Sequence, residues 1–303
     1  MFKTDSFVMC APSDKTFRCD VPNNVWMLEM TEEERQINYS LAEQQFHSLY
    51  QFLSANGLVY LLPPGSVDAQ DQVYVANTGV VLPHTENKKA IVSNFTALER
   101  AAEERPFAQL LCGLGLEVHH SPFKFEGEAE LKHLGGAVYA CSHGMRTEIG
   151  FHRWLTESFG AEIISLELRF DRLYHLDCSL FPLHPGSAFV CCEAFTAKEL
   201  RALERHTGII DVPLELAEAG VNNCVRSGSF ILCSSDINSL SRYDKEFDLE
   251  RRKNRFLEDK CCDFGLELVT FDLSEFYKSG ALLSCMVFHL SRHSYAEARP
   301  SLF

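Results

Sequence analysis

The 303 residues are 46% hydrophobic and 23% charged, the make-up of a globular protein with material for a full core. A formal net charge of −14 is the wrong sign for neutralising phosphates, so no nucleic-acid partner is expected. No run of about 18 apolar residues exists to cross a membrane, and the start Met1-Phe2-Lys3-Thr4-Asp5 lacks the pattern of a secretory leader.

In chain order, residues 7–12 read as a first strand and 22–27 as a loop anchored by Trp26. Thr31-Glu32-Glu33-Glu34 is a capping box and predicts a helix running from there to Gly57, with Leu41, Phe46, Leu49, Tyr50 and Leu53 near helical spacing. A buried strand at 57–62 ends at Pro63-Pro64-Gly65, an extended hairpin is expected over 71–82, and a strand over 90–93. Helix signals cover 96–112, where Pro106 implies a kink or two shorter helices. Strands are expected at 116–118, 137–141 and 162–168, with a helix over 147–159 ended by Gly160. Tyr174-His175-Leu176-Asp177-Cys178-Ser179-Leu180 reads as the opening of the next strand, paired with 187–192. His175 and Asp177, at i and i+2, would then share a face. Helices at 196–206 and 244–262 and strands at 208–212, 229–233, 266–271 and 282–290 complete the chain.

A few short strands and a helix thus recur about every 40 to 60 residues without strict βαβ alternation, which points to a radial repeat built as one domain over residues 1–303. No glycine-rich phosphate loop follows a strand, so nucleotide-binding folds drop out. The twelve cysteines include no Cys-x-x-Cys pair, which argues against a zinc ribbon. Several lie in apolar strands, where Cys behaves as a small buried hydrophobe. Together with the missing leader, this makes a reducing cytosol the expected compartment.

Four stretches carry candidate chemistry. His175 and Asp177 offer a base beside a carboxylate. Glu126 lies in Phe125-Glu126-Gly127, where the glycine permits close backbone approach, and Arg146 in Gly144-Met145-Arg146-Thr147 could clamp a carboxylate bidentately. Cys285, near the end of the chain, fits a thiol nucleophile whose acids and histidine come from elsewhere. Taken singly, each also fits a structural role: a surface acid, a cap, a core thiol.

Their order along the chain resembles the guanidino-group-modifying superfamily of arginine deiminases, dimethylarginine dimethylaminohydrolases, arginine dihydrolases and amidinotransferases. Asn77, Phe125-Glu126-Gly127, Gly144-Met145-Arg146-Thr147, His175-Leu176-Asp177, Glu275-Phe276-Tyr277-Lys278-Ser279-Gly280 and Cys285 carry the resemblance, with Phe7-Val8-Met9-Cys10-Ala11-Pro12 and Asn24-Val25-Trp26-Met27 at the start. The resemblance implies a single-domain, five-bladed α/β propeller (the pentein fold) with pseudo-fivefold repeats. It implies Cys285 as nucleophile, His175 as general acid/base, Glu126 and Asp177 as carboxylates holding a guanidinium, and Arg146, or less directly Arg100, as clamp for an α-carboxylate. Asn24 and Asn77 match positions of the dihydrolases, which look similar with Asn where deiminases carry Asp; Asn77 equally suits a hairpin turn before Gly79. Departures are Glu128 and Glu130 in place of smaller residues, Val25 in place of a proline, and Gly280-Ala281 before the cysteine region.

The chemistry is coherent. A planar cation rich in N–H donors is oriented by carboxylates in its plane, its carbon lies open to a thiolate above its face, and the bound cation favours that thiolate. The expected function is therefore hydrolysis of the guanidinium of arginine, or of an N-substituted arginine, through a covalent cysteine intermediate, giving ornithine or citrulline. No metal or cofactor is expected. The expected partner is a small-molecule substrate, neither nucleic acid nor membrane, and a homo-oligomer is compatible with the sequence. Amidino transfer to an amine, and a non-catalytic binding protein on the same fold, are the other readings.

Overall fold

The computed structural model describes residues 4–293 except 66 and 87. Its strands fall into five three-stranded sheets, all built on one plan. In each, an outer strand pairs antiparallel with a middle strand. The chain then crosses over through a helix and returns as a third strand parallel to the middle one.

In the first sheet the middle strand is β1 (Ser6–Met9). Helices α1 (Val25–Glu29) and α2 (Tyr39–Asn56) lead to β2 (Leu58–Leu61). The second comprises β3 (Gly79–Leu82), β4 (Lys89–Val92) and, after α3 (Glu104–Gly113), β5 (Glu117–His120). The third comprises β6 (Leu131–Gly135), β7 (Val138–His143) and, after α4 (Gly150–Phe159), β8 (Glu162–Glu167). The fourth comprises β9 (Leu180–His184), β10 (Ser187–Val190) and, after α5 (Ala197–Glu204), β11 (Gly208–Asp211). Helix α6 (Leu214–Glu218) leads to the fifth: β12 (Val225–Ser227), β13 (Phe230–Ser234) and, after α7 (Lys245–Asp263), β14 (Glu267–Phe271). Short α8 (Ser274–Tyr277) precedes β15 (Phe288–Ser291), which pairs antiparallel with β1, so the last strand completes the first sheet.

Middle strands such as Ala188-Phe189-Val190 and Ile231-Leu232-Cys233 are buried throughout, because an apolar run is what a strand covered on both faces requires. Cys141, Cys191 and Cys233 belong to these buried runs, as the sequence suggested, and all twelve cysteines are free thiols. The third strands β2, β5 and β11 keep exposed ends.

Immediately before the outer strands lie tight turns: 3₁₀ turns at Val75–Thr78, Gly127–Ala129, Leu176–Cys178 and Leu283–Met286, and a turn through Gly220 and Asn223 before β12. Neighbouring turns pack closely. Gly127 has φ +62°, and a Cβ there would fall on the Ala76 carbonyl oxygen.

Some sequence expectations need correction. The Thr31 box forms its hydrogen bonds with Glu34, but it closes only a turn; the helix starts at Tyr39, capped by the Asn38 side chain. Residues 71–82 are not an extended hairpin. Val75–Thr78 is 3₁₀, and the hairpin is β3 with β4. His175 and Asp177 lie in a 3₁₀ turn rather than on a strand, because the Cys178 and Ser179 N–H groups bond locally to the His175 and Leu176 carbonyls. Around Pro106 the chain forms two helices, one 3₁₀ (Leu98–Glu103) and then α3, whose first turn accepts a residue without an N–H donor. No helix of the described residues is long and apolar enough to cross a membrane.

Candidate active site

The tight turns bring the candidates together. Seven of the eight, Asn24, Asn77, Arg100, Glu126, Arg146, His175 and Cys285, line one small polar cavity of about 20 Å³. Asp177 lies beyond the thiol. With His175 and Cys285 it lines a second cavity of about 350 Å³.

Cys285 sits in the turn between α8 and β15 and is 6% exposed. Its Sγ is 3.9 Å from Asp177 Oδ2 and 4.0 Å from Asn223 Nδ2. Neighbouring Ser284 fixes both partners, its hydroxyl donating to Asp177 Oδ2 at 2.7 Å and its N–H to Asn223 Oδ1 at 2.8 Å. Burial first, then the Asp177 charge, pushes the Cys285 thiol up to about 12, so with the site empty the sulfur holds its proton.

His175 stands between two carboxylates. Its Nε2 is 2.9 Å from Glu126 Oε2 and 3.5 Å from Glu130 Oε1. An ionised carboxylate only accepts, so Nε2 carries the proton that Glu126 receives; Nδ1 faces the Asn77 amide at 3.4 Å. Glu126 Oε1 also accepts the Thr96 N–H at 3.1 Å, and Phe125 beside it stacks on Phe151 at 3.9 Å, which fixes the turn. Burial alone would raise Glu126, but the His175 hydrogen bond and charge, with Arg146 and Arg100, outweigh it and hold the carboxyl at about 2. Glu130 has no comparable partner set. Burial pushes it up to about 7 against the charge of His175 and the hydrogen bond from Ser142.

The two arginines differ. Arg146 lies over the Tyr174 ring at 5.2 Å, 3.6 Å from Glu126, and donates to the Asn23 carbonyl at 2.5 Å, roofing the small cavity. Arg100 is spent on a bidentate pair with Glu103, both contacts 2.9 Å, and stacks on Phe95 at 4.4 Å. Asn24 is equally committed. Its Oδ1 caps α1 by accepting the Met27 N–H, and its Nδ2 donates to the Ser279 carbonyl. Asn77, 1% exposed, keeps an Oδ1 without a hydrogen-bond partner.

Sequence reasoning missed Asn223 and Asp71. Asn223 stands two residues before β12 as Asn77 stands two before β3, and only that repeat correspondence would have singled it out. Asp71 is buried in the small cavity's wall, held through Oδ2 by Asn23 at 2.8 Å, with Oδ1 unpartnered. No motif marks it. Glu128, noted as a departure, points away from this site. It accepts from His289 at 2.8 Å and pairs with Arg292 at 2.9 Å.

No protein-family model matches the chain. The bifunctional arginine dihydrolase/ornithine cyclodeaminase AgrE of Nostoc sp. is 26% identical over 98% of this chain and 39% of its own length. The corresponding ArgZ protein of Synechocystis sp. is 25% identical over 94% of this chain and 37% of its own. The chain therefore spans about two fifths of the length of these relatives. The N(G),N(G)-dimethylarginine dimethylaminohydrolase of Mycobacterium tuberculosis is 29% identical over 59% of this chain and 62% of that protein. Among solved structures, the product-bound N-terminal domain of ArgZ, an arginine dihydrolase from cyanobacteria, superposes with TM-score 0.80 at 25% identity, covering 95% of this chain and 98% of that one. A dimethylarginine dimethylaminohydrolase adduct with S-methyl-L-thiocitrulline shares the fold at TM-score 0.69 and 17% identity, covering 95% and 100%. Along nearly its whole length this chain is thus similar in sequence to AgrE and ArgZ, and it shares the fold of the ArgZ N-terminal domain and of the dimethylarginine dimethylaminohydrolase.

Proposed function

We propose that the chain is a hydrolase that cleaves C–N bonds of the guanidinium of arginine or an N-substituted arginine through a covalent bond to Cys285. The observation that carries this reading is the meeting of three groups where the two cavities adjoin: the Cys285 thiol, His175 hydrogen-bonded to Glu126, and, on the larger cavity's side, the Asp177 carboxylate 3.9 Å from Sγ. A guanidinium seated against Asp177 brings a positive charge beside a thiol that is otherwise protonated, so substrate binding itself favours the thiolate. Sγ adds to the guanidinium carbon. The departing nitrogen takes a proton from His175, whose imidazolium is stabilised by Glu126, and leaves as ammonia or an amine. Water then gives a proton to His175 and adds to the carbon, the C–S bond breaks, and citrulline and the thiolate are released. Arg146, displaced from the Asn23 carbonyl, takes the α-carboxylate bidentately. Arg100 orders the wall through Glu103 rather than binding substrate.

The unpartnered Oδ1 of Asn77 supports a second hydrolysis. It accepts from the N–H groups of a guanidinium or of a citrulline-like ureido group alike, and the amide of the same side chain can donate to a ureido carbonyl. Five sheets of one plan, with their turns directed at the site and β15 closing on β1, support a five-bladed propeller formed by residues 1–303 as one domain. Twelve free thiols support a reducing compartment such as the cytosol.

The test is amino-acid analysis after incubating the protein with arginine, citrulline or asymmetric dimethylarginine, beside Cys285→Ala. Ornithine and ammonia from arginine mark a dihydrolase, and citrulline as the end product marks a deiminase or dimethylargininase. Cys285→Ala should lose at least about 10³-fold in kcat. No turnover of any compound beyond that of the variant overturns the proposal.

A further inference from the structure

Beyond its inner end at His175, Asp177 and Cys285, the larger cavity has no occupant in this mechanism. Its volume of about 350 Å³ falls within the roughly 300–1,000 Å³ that enclose small organic ligands. It meets the small polar cavity at Tyr174, His175, Ala281 and Cys285, so a group there touches the reacting centre from the side opposite Arg146. The two sides differ in chemistry. The larger cavity is walled in part by Ala217, Leu249 and Leu282 and also carries the carboxylates of Glu218, Asp236 and Glu246. Among the described residues none of these three has an ion-pair partner. The two basic side chains on this cavity are already matched, Lys253 by Glu250 at 2.6 Å and Arg172 by Glu29 at 2.8 Å. A carboxylate finds no cation there. An ammonium at the end of an apolar arm finds both the wall and the counter-charge.

Resting on the guanidino-hydrolase reading, we propose that this cavity holds a substituent on an ω-nitrogen of arginine: an alkyl arm longer than a methyl group, ending in an ammonium. The substrate class is then an ω-aminoalkylated arginine. Its α-amino-acid end lies toward Arg146 and its substituent toward Glu218 and Asp236. In the reaction Sγ adds to the guanidinium carbon, the bond from that carbon to the substituted nitrogen breaks, and this nitrogen takes a proton from His175 and leaves as a diamine. One water replaces it, and citrulline and the thiolate are returned. Carbon oxidation state is unchanged, and water is the sole co-reactant.

The experiment measures kcat/KM for arginine, ω-butylarginine and ω-(3-aminopropyl)arginine, which match in length and differ in charge. It uses the wild type, the double variant Glu218→Gln/Asp236→Asn, and Cys285→Ala. The aminopropyl compound should exceed the butyl compound by about tenfold on the wild type. The double variant should lose that advantage while keeping its rate on arginine. Equal rates for the two substituted compounds, or rejection of both while arginine is consumed, overturns this inference and leaves the hydrolase reading standing. So does consumption of free 1,3-diaminopropane as an acceptor of the amidino group, with no cleavage of its arginine conjugate. No turnover of any compound above the level of Cys285→Ala overturns both.

Discussion

At Cys285 and His175 the environment, more than residue type, sets the chemistry. A thiol pushed up to about 12 by burial and Asp177 is a poor nucleophile toward a neutral reagent. A cationic electrophile delivers the missing positive charge. Alkylation of Cys285 should therefore be at least about 100-fold faster with 2-chloroacetamidine than with neutral iodoacetamide, read by peptide mass spectrometry. Equal rates would show that no cation is needed. Glu126 and Glu130 face the same imidazole and are shifted in opposite directions, to about 2 and about 7, because Glu126 alone gains the close His175 and Arg146 contacts. Glu130, raised from 4.5 to about 7 on folding, contributes its full stability below about pH 4.5, and that contribution is lost as pH rises through about 7. Glu130→Gln removes the buried charge. Its thermal midpoint relative to wild type should climb between pH 5 and pH 8, by up to about 3 kcal/mol of stability. A flat or falling difference would show that Glu130 does not titrate in this range.

At the scale of elements, the site is a property of turns. Asn77, Glu126, His175, Asp177, Asn223 and Cys285 all lie in or beside the turns that precede outer strands, so one structural position, repeated, supplies the amide, carboxylate, imidazole and thiol groups. Gly127 is the tightest of these joints. Gly127→Ala places a side chain at positive φ against the Ala76 carbonyl and should cost about 2–4 kcal/mol, measured by urea unfolding, with activity falling further than stability as Glu126 shifts. A loss below about 0.5 kcal/mol would mean the turns have room to move. Much of this scale was legible in the sequence. The Thr196–Glu199 capping box at the start of α5 and Gly160 after α4 bound their helices where local chemistry dictates. The turns were not legible. Tyr174-His175-Leu176-Asp177 has the alternation of a strand, and only hydrogen bonds within the turn and packing on neighbouring turns make it 3₁₀. The Thr31 box misleads for a related reason: it forms fully, yet the helix waits for Asn38, whose N–H is held by Glu275 from α8.

Across the whole molecule, the five sheets make a scaffold in which residues nearly 210 apart, Asn77 and Cys285, wall one cavity. The pairing of β15 with β1 holds the turn bearing Cys285 against the others, and Phe288 packs edge-on to Phe107 at 4.9 Å to join the first sheet to α3, the crossover helix of the second. Seven of the eight residues singled out from the sequence line one cavity, six of them from the ordered motifs and Arg100 from outside them. The sequence could not show that Arg100 and Asn24 are bound up in the wall, because Glu103 and the Ser279 carbonyl become their partners only through folding.

The claim on which all of this rests is a covalent bond between Cys285 and the carbon of the guanidino group. S-methyl-L-thiocitrulline tests it most directly, because its methylthio group departs without a proton from His175 whereas release of the product still needs His175 to activate water. Intact-mass and peptide analysis of His175→Ala after brief exposure to this compound should show a long-lived adduct on Cys285, absent from Cys285→Ala. An adduct on another cysteine, or none on Cys285 under conditions in which the wild type consumes the compound, would contradict the account.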